Sequence, residues 1–209
     1  MKILIDNGHG IDTKGKRSPY SANKITPAID FYEYKWNRET ASSIVNELLS
    51  LGYDAELLVP EETDVPLKER VKRVNTFCDK LGASNVILIS IHANAMGNGT
   101  AWMKGRGWAA YTTKGHTNSD SLADALYSEA EKNFKGMKIR KDFSDGDADW
   151  EENFYICKKA ECVAVLTENF FYDNIDDAQY ILSNEGRKAI IKTHVDGLIN
   201  YLTSRRNCT

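Results

Sequence analysis

Short apolar runs alternate along the chain with longer stretches in which apolar residues recur every three or four positions. Lys2–Asp6 reads as a strand buried on both faces and stopped by the turn formers Asn7-Gly8. Between Phe31 and Leu51, Trp36, Ala41, Ile44, Val45, Leu48 and Leu49 fall at helical spacing, and Gly52 supplies the C-terminal stop. Ala55–Val59 predicts a second strand. A helix capped by Thr63 or Asp64, with Pro66 near its start, then runs to Leu81 ahead of Gly82. Val86–Ile91 is the unbroken apolar run expected of a strand covered on both sides. Trp108–Thr112 is a weaker strand, and Ser119–Phe134 a helix with Leu122, Ala125, Leu126 and Ala130 on one face. Cys162–Thr167 is a further buried strand, followed by helices at Asp176–Leu182 and Glu185–Leu202. This alternation predicts an α/β fold: a three-layer α/β/α sandwich around a mostly parallel, roughly six-stranded sheet. No repeat or linker-like stretch breaks it, so residues 1–209 read as one domain.

Composition narrows the picture. The chain of 209 residues is 42% hydrophobic, which excludes a disordered polymer. Its 27 basic against 30 acidic residues give a net charge of −3 and speak against a nucleic-acid partner. No apolar run approaches the ~18 residues of a membrane span, so no integral membrane segment is expected. Met1-Lys2-Ile3-Leu4-Ile5-Asp6 turns acidic too early for a secretory signal, which predicts synthesis in the cytoplasm without a recognisable signal peptide. Cys78, Cys157, Cys162 and Cys208 have no zinc-module spacing and are expected to be free thiols.

The ionisable residues at strand ends carry the chemistry. His9, in Asp6-Asn7-Gly8-His9-Gly10, follows the first strand. His92, in Ser90-Ile91-His92-Ala93-Asn94-Ala95, ends the third. Glu168, in Val165-Leu166-Thr167-Glu168-Asn169, ends another buried strand. All lie at carboxyl ends of predicted parallel strands, the edge where open α/β sheets bind ligands. Two imidazoles and one carboxylate can hold a catalytic zinc and leave a position for water. Glu33 and Glu39 compete for the third place; Glu33, in the first helical turn, is preferred because Glu39 lies nearly two turns further on. Glu168 suits a carboxylate that moves protons without ligating the metal. Asn94, His116 and Arg140 are candidate substrate contacts, Arg140 because a guanidinium pairs well with a carboxylate. His194, in the last helix, reads as a packed non-ligand. The loop 141–153 alternates acids at Asp145, Asp147, Asp149 and Glu151 but lacks the full calcium-loop pattern, so it is expected to be a solvated acidic loop. Trp102, Trp108 and Trp150 in the long loops would stack on a sugar or pack against the sheet.

These motifs, with Glu33-x-x-x-Asn37 and Asp64-Val65-Pro66-Leu67-Lys68-Glu69-Arg70, resemble the zinc-dependent N-acetylmuramoyl-L-alanine amidases of the Amidase_3 type, in order from Lys2 to about Leu202. The resemblance implies one Zn2+ per chain on His9, Glu33 and His92, with Glu168 as catalytic carboxylate. It implies cleavage of the amide between the lactyl group of N-acetylmuramic acid and L-alanine in peptidoglycan or a muropeptide. No wall-binding repeat, second domain or obligate protein partner is evident in the sequence; with the missing signal peptide this predicts a single catalytic domain acting in wall lysis or remodelling, with a phage lysis enzyme preferred. Ile11–Asp30, Val59-Pro60-Glu61-Glu62 and the acidic loop depart from the family pattern. A zinc peptidase cutting within the stem peptide, or a non-catalytic muropeptide-binding module, are the competing readings.

Overall fold

The computed structural model describes residues 1–19 and 28–207. Part of the divergent Ile11–Asp30 segment, and Cys208, lie outside the described residues. The strands are β1 (Lys2–Asn7), β2 (Asp54–Leu57), β3 (Val86–Asn94), β4 (Ala109–Thr112), β5 (Trp150–Glu151) and β6 (Val163–Phe171). The helices are α1 (Glu33–Ser50), α2 (Leu67–Leu81), α3 (Asp120–Asn133), α4 (Tyr155–Lys159), α5 (Ile175–Leu182) and α6 (Asn184–Asn207). One six-stranded sheet results, in the order β2-β1-β3-β6-β4-β5. β2, β1, β3 and β6 run parallel, while β4 lies antiparallel to β6 and carries β5 parallel to itself.

Alternation along each strand divides the core. Ile3, Ile5, Ile87, Ile89, Ile91 and Val165 face α1, α3, α5 and α6. Leu4, Val86, Leu88, Ala164 and Leu166 face α2 and α4 through Val71, Val74, Cys78, Ile156 and Cys157. Both faces of the central strands are therefore dry, as their unbroken apolar runs require. The chain crosses from β1 to β2 on one side and to β3 on the other, so the order reverses at the β1–β3 junction. A reversal of this kind opens a crevice at the carboxyl ends of the two strands.

Three details differ from the sequence expectations. The strands bearing His92 and Glu168 continue past them, because β3–β6 pairing runs through a register irregularity to Asn94 and Phe171. Pro66, not Thr63 or Asp64, stands at the start of α2, its carbonyl accepting from the amides of Glu69 and Arg70. The Asp64 carboxylate is instead engaged by Arg70 and Thr13. β5 and α4 were not expected, since elements of 2 and 5 residues show no readable period. Cys78, Cys157 and Cys162 are free, and burial pushes the Cys157 thiol up to about 12. Among the described residues no helix is long and apolar enough to cross a membrane.

Candidate functional site

The turn after β1 is built to present His9. Gly8 donates its amide to the Ile91 carbonyl of β3 (3.0 Å), and its own carbonyl accepts from Asn37 Nδ2 (3.1 Å) on α1. His9 takes φ +66°, a left-handed conformation that costs energy in a residue with a Cβ and is retained where the surroundings hold it. Beneath the turn, Arg70 is buried. It donates to Asp6 Oδ1 (2.6 Å), the Asn7 carbonyl (2.8 Å), Asp64 Oδ1 (2.8 Å) and the Val65 carbonyl (2.7 Å). Ser90 Oγ donates to the other oxygen of Asp6 (2.5 Å). This satisfied buried network locks the ends of β1 and β3 to the start of α2.

On that base three donors converge. Glu33 Oε1 lies 3.2 Å from His92 Nδ1, and Glu33 Oε2 lies 3.4 Å from His9 Nε2. The two rings stand edge to face, centroids 5.0 Å apart. All three donor atoms fall within 4.8 Å of one another. Ligands held ~2.0–2.1 Å from a tetrahedral ion are themselves separated by ~3.3 Å, so the spacing fits a shared metal. Glu33 Oε2 is buried without a hydrogen-bond partner, the state of an oxygen awaiting a cation. Burial alone would raise the Glu33 carboxyl, but the two imidazoles outweigh it and hold it far below its usual range. Glu33 also accepts from the Ala93 amide (3.2 Å), which ties its orientation to β3.

Glu168 is brought to this cluster by register, because it pairs directly with His92 across β3 and β6. Parallel partners share a sheet face, so both side chains emerge beyond Leu88 and Leu166 on the α2–α4 side. Glu168 Oε2 is buried and unpartnered. Desolvation first, and the nearby Glu33 charge second, push its carboxyl well above the usual range. Lys16 and Arg140 oppose that rise without cancelling it. Lys16, whose backbone carbonyl accepts the first amide of α1, sets its ammonium 4.0 Å from Glu33 Oε2.

Two cavities flank the cluster and share Lys16, His92 and Glu168. One, of about 360 Å³, is walled by apolar Val65, Pro66, Leu67, Phe154 and Ile156. The other, of about 280 Å³, is lined by polar Lys14, Asn94 and Asn98. Arg140 lies 4.6 Å from the Trp150 ring and 5.3 Å from that of Phe171, and donates to the Tyr111 hydroxyl (3.1 Å).

The structure thus brings together His9, Glu33, His92 and Glu168, with Asn94 on the rim. His116 lies elsewhere, beside Asp120 and Asp147. Glu39 points away and pairs with Arg187 (2.8 Å). Trp108 is fully buried and donates to Asn169 (2.9 Å). Lys16 and the Asp6–Arg70 pair escaped sequence reasoning. A lone loop lysine has no spacing to read, whereas an arginine in the second turn of α2 facing an apolar run offered a signal.

Residues 3–200 match the family described as N-acetylmuramoyl-L-alanine amidase. The N-acetylmuramoyl-L-alanine amidase CwlM of Bacillus licheniformis is 28% identical over 210 residues, covering 99% of this chain and 71% of the relative. The endolysin of Bacillus phage SPP1 is 24% identical over 211 residues, covering 98% and 67%. The crystal structure of N-acetylmuramoyl-L-alanine amidase from Clostridium difficile 630 superposes with a TM-score of 0.76 at 26% identity, covering 97% of both chains. Sheet order, donor set and a match over nearly the whole sequence agree: the chain belongs to the N-acetylmuramoyl-L-alanine amidase family.

Proposed function

We propose that this chain hydrolyses the amide between the lactyl group of N-acetylmuramic acid and L-alanine of the peptidoglycan stem peptide, with one zinc ion among His9, Glu33 and His92. The observation that carries the reading is the unpartnered Glu168 carboxylate, in register beside a converging His–Glu–His set. When bound there, zinc polarises the scissile carbonyl and lowers the pKa of a water to about 7.

Glu168 takes the proton of the attacking water and delivers it to the leaving nitrogen of L-alanine. Burial and the nearby Glu33 charge raise its proton affinity, which suits delivery of that proton to the leaving nitrogen. Lys16, between the two cavities, adds positive charge where the carbonyl oxygen becomes negative. The asymmetric walls fit an amphiphilic substrate. Asn94 offers hydrogen bonds on the polar side, and Arg140, whose charge acts on Glu168, would pair with a stem-peptide carboxylate. The reading places the enzyme at the cell wall, in lysis or remodelling, which agrees with its likeness to both a bacterial amidase and a phage endolysin.

Digestion of purified peptidoglycan with product masses tests this. Release of stem peptides starting at L-alanine, with a free lactyl carboxylate on the glycan, is expected. Glu168→Gln should lower kcat by roughly 10²–10⁴-fold while one zinc per chain remains. Cuts inside the peptide would replace the reading with a peptidase, and full activity in Glu168→Gln would remove the proton-transfer role.

A further inference from the structure

The two cavities beside the His9–Glu33–His92 centre differ in what their walls still offer a ligand. In the apolar cavity the charged side chains are spent on one another, since Arg70 is held by Asp6 (2.6 Å) and Asp64 (2.8 Å). Apart from the shared Lys16, a carboxylate placed there would meet no available cation, only Val65, Pro66, Leu67, Phe154 and Ile156.

The polar cavity has the opposite character. Asn94 Oδ1 accepts from the Ala95 amide (2.8 Å), and Asn98 Oδ1 accepts from Thr100 N (3.2 Å) and Thr100 Oγ1 (2.7 Å). Backbone amides only donate, so both side-chain oxygens are fixed as acceptors that are already occupied. Neither side-chain NH2 group has a partner among the described residues, and each keeps its donors for a ligand. Lys14 adds an exposed ammonium with no ion-pair partner among the described residues, and Lys16 adds a second cation. Glu33 and Glu168 supply the carboxylates on this wall, and both belong to the centre itself. What remains is a wall of donors and positive charge, the chemistry that holds a carboxylate. Its parts are fixed relative to one another. Buried Asp173 accepts from the amides of Met96 (2.9 Å) and Gly97 (2.7 Å), and a Cβ on Gly99 would lie 3.5 Å from the Gly15 carbonyl. The turn at 96–99 therefore packs beside the loop that carries Lys14 and Lys16.

We infer that Lys14 is a specificity residue which, with Asn94 and Asn98, pairs with the carboxylate of the second stem-peptide residue. It thereby sets the direction of the substrate, with the peptide in the polar cavity and the muramoyl sugar toward the apolar one. The inference rests on the amidase reading above. In peptidoglycan the residue after L-alanine is a D-glutamate joined onward through its side-chain carboxyl, which leaves its α-carboxyl either free or converted to the carboxamide. That group belongs to the residue next to the scissile amide, one Cα–Cα step of ~3.8 Å beyond L-alanine. The polar cavity begins at that distance, because it shares His92 and Glu168 with the centre. The muramoyl sugar carries no charge once its lactyl carboxyl is in the amide, so only the peptide gains from the cationic side. Lys14 falls in the Ile11–Asp30 segment that departs from the family pattern, which makes this contact a property of the chain and not of the shared centre. Arg140 lines neither cavity and is left for a carboxylate further along the stem. The loop 141–153 lines neither cavity as well. Expected to be wholly solvated, it turns Asp149 inward, 1% exposed and accepting from Thr112 Oγ1 (2.6 Å).

The test uses the full zinc-loaded chain and two muropeptides identical except at the second residue, D-glutamate in one and D-isoglutamine in the other. Wild type should show a KM roughly 10-fold lower for the acidic muropeptide, a preference that shrinks with added salt. Lys14→Met should bring the ratio of the two KM values close to one by raising the acidic value, Lys14→Arg should restore the preference, and Lys14→Glu should invert it. Calorimetric binding of both muropeptides to Glu168→Gln reads the same preference without turnover. Failure to cut at L-alanine would overturn the amidase reading, while the binding ratio would still decide the role of Lys14. Equal affinity of wild type for the two muropeptides, or a preference that survives Lys14→Met, overturns the inference.

Discussion

Gly8 shows how little freedom a single residue has at this site. A Cβ built there would lie 2.0 Å from Cε1 of His92, so the His92 imidazole occupies the space that any side chain would need. Gly8→Ala must displace His92 or the turn that carries His9. Affinity for zinc should fall by roughly 10–100-fold, the penalty of a misplaced ligand or of lost support for one. The fold should survive, because Arg70 and Asp6 below the turn are untouched. Competition against a chelator measures the affinity, and far-ultraviolet circular dichroism checks the fold; unchanged affinity would contradict the close approach. This glycine was legible as a turn former beside a histidine, but the reason for it was not. Contact between residues 8 and 92 arises from β1 and β3 pairing, which local pattern does not reveal.

Among the elements, β6 is the most informative. Its first part was readable as the buried strand Cys162–Thr167 ending at Glu168; its continuation through Asn169–Phe171 was not, since a strand carrying Glu168 and Asn169 loses the apolar signature while it keeps its pairing. Thr167 and Asn169 are satisfied by partners, several of them distant in sequence, while Glu168 faces the site. Asn169 Nδ2 donates to the His92 carbonyl (2.9 Å) and Thr167 Oγ1 (3.1 Å). The Thr167 hydroxyl donates in turn to His194 Nε2 (2.9 Å), and His194 Nδ1 to the Ile190 carbonyl (2.7 Å). His194 is therefore held neutral, and burial pushes it down to about 4. A histidine with a depressed folded-state pKa contributes fully above its unfolded value of ~6.5, and loses stability as pH falls from there to about 4. The loss across that window should approach ~3 kcal/mol. Asp149, which burial raises to about 7, titrates with the opposite sign over the same range, so the effect is read as a difference. Urea midpoints from pH 7.5 to 4.5 should fall more steeply for wild type than for His194→Gln. Parallel profiles would show that His194 takes up its proton without cost.

At the scale of the molecule, the two apolar layers lie along the middle of the sheet while the His9–Glu33–His92 centre sits at its carboxyl edge. The alternation that predicted the layers was visible because buried runs and helical periods are local. The convergence of three donors was visible only as motifs at strand ends, and their geometry depended on the β1–β3 reversal and on α1 beginning at Glu33. This separation of core and site decides how the chain responds to metal removal. In small zinc modules the ion supplies folding energy outright, and the apo chain is unfolded. Here the core closes without it, so the apo protein should stay folded and cooperative. Zinc at a hundredfold excess over its Kd should add ~2.7 kcal/mol, which for a chain of this size raises the melting temperature by roughly 5–10 °C. Calorimetry with and without chelator would show that shift, and Glu33→Ala should abolish most of it while Glu168→Gln retains it. Apo protein lacking its far-ultraviolet signal would mean that the ion holds the sheet edges together, and the division between a self-sufficient core and a metal-dependent edge would fail.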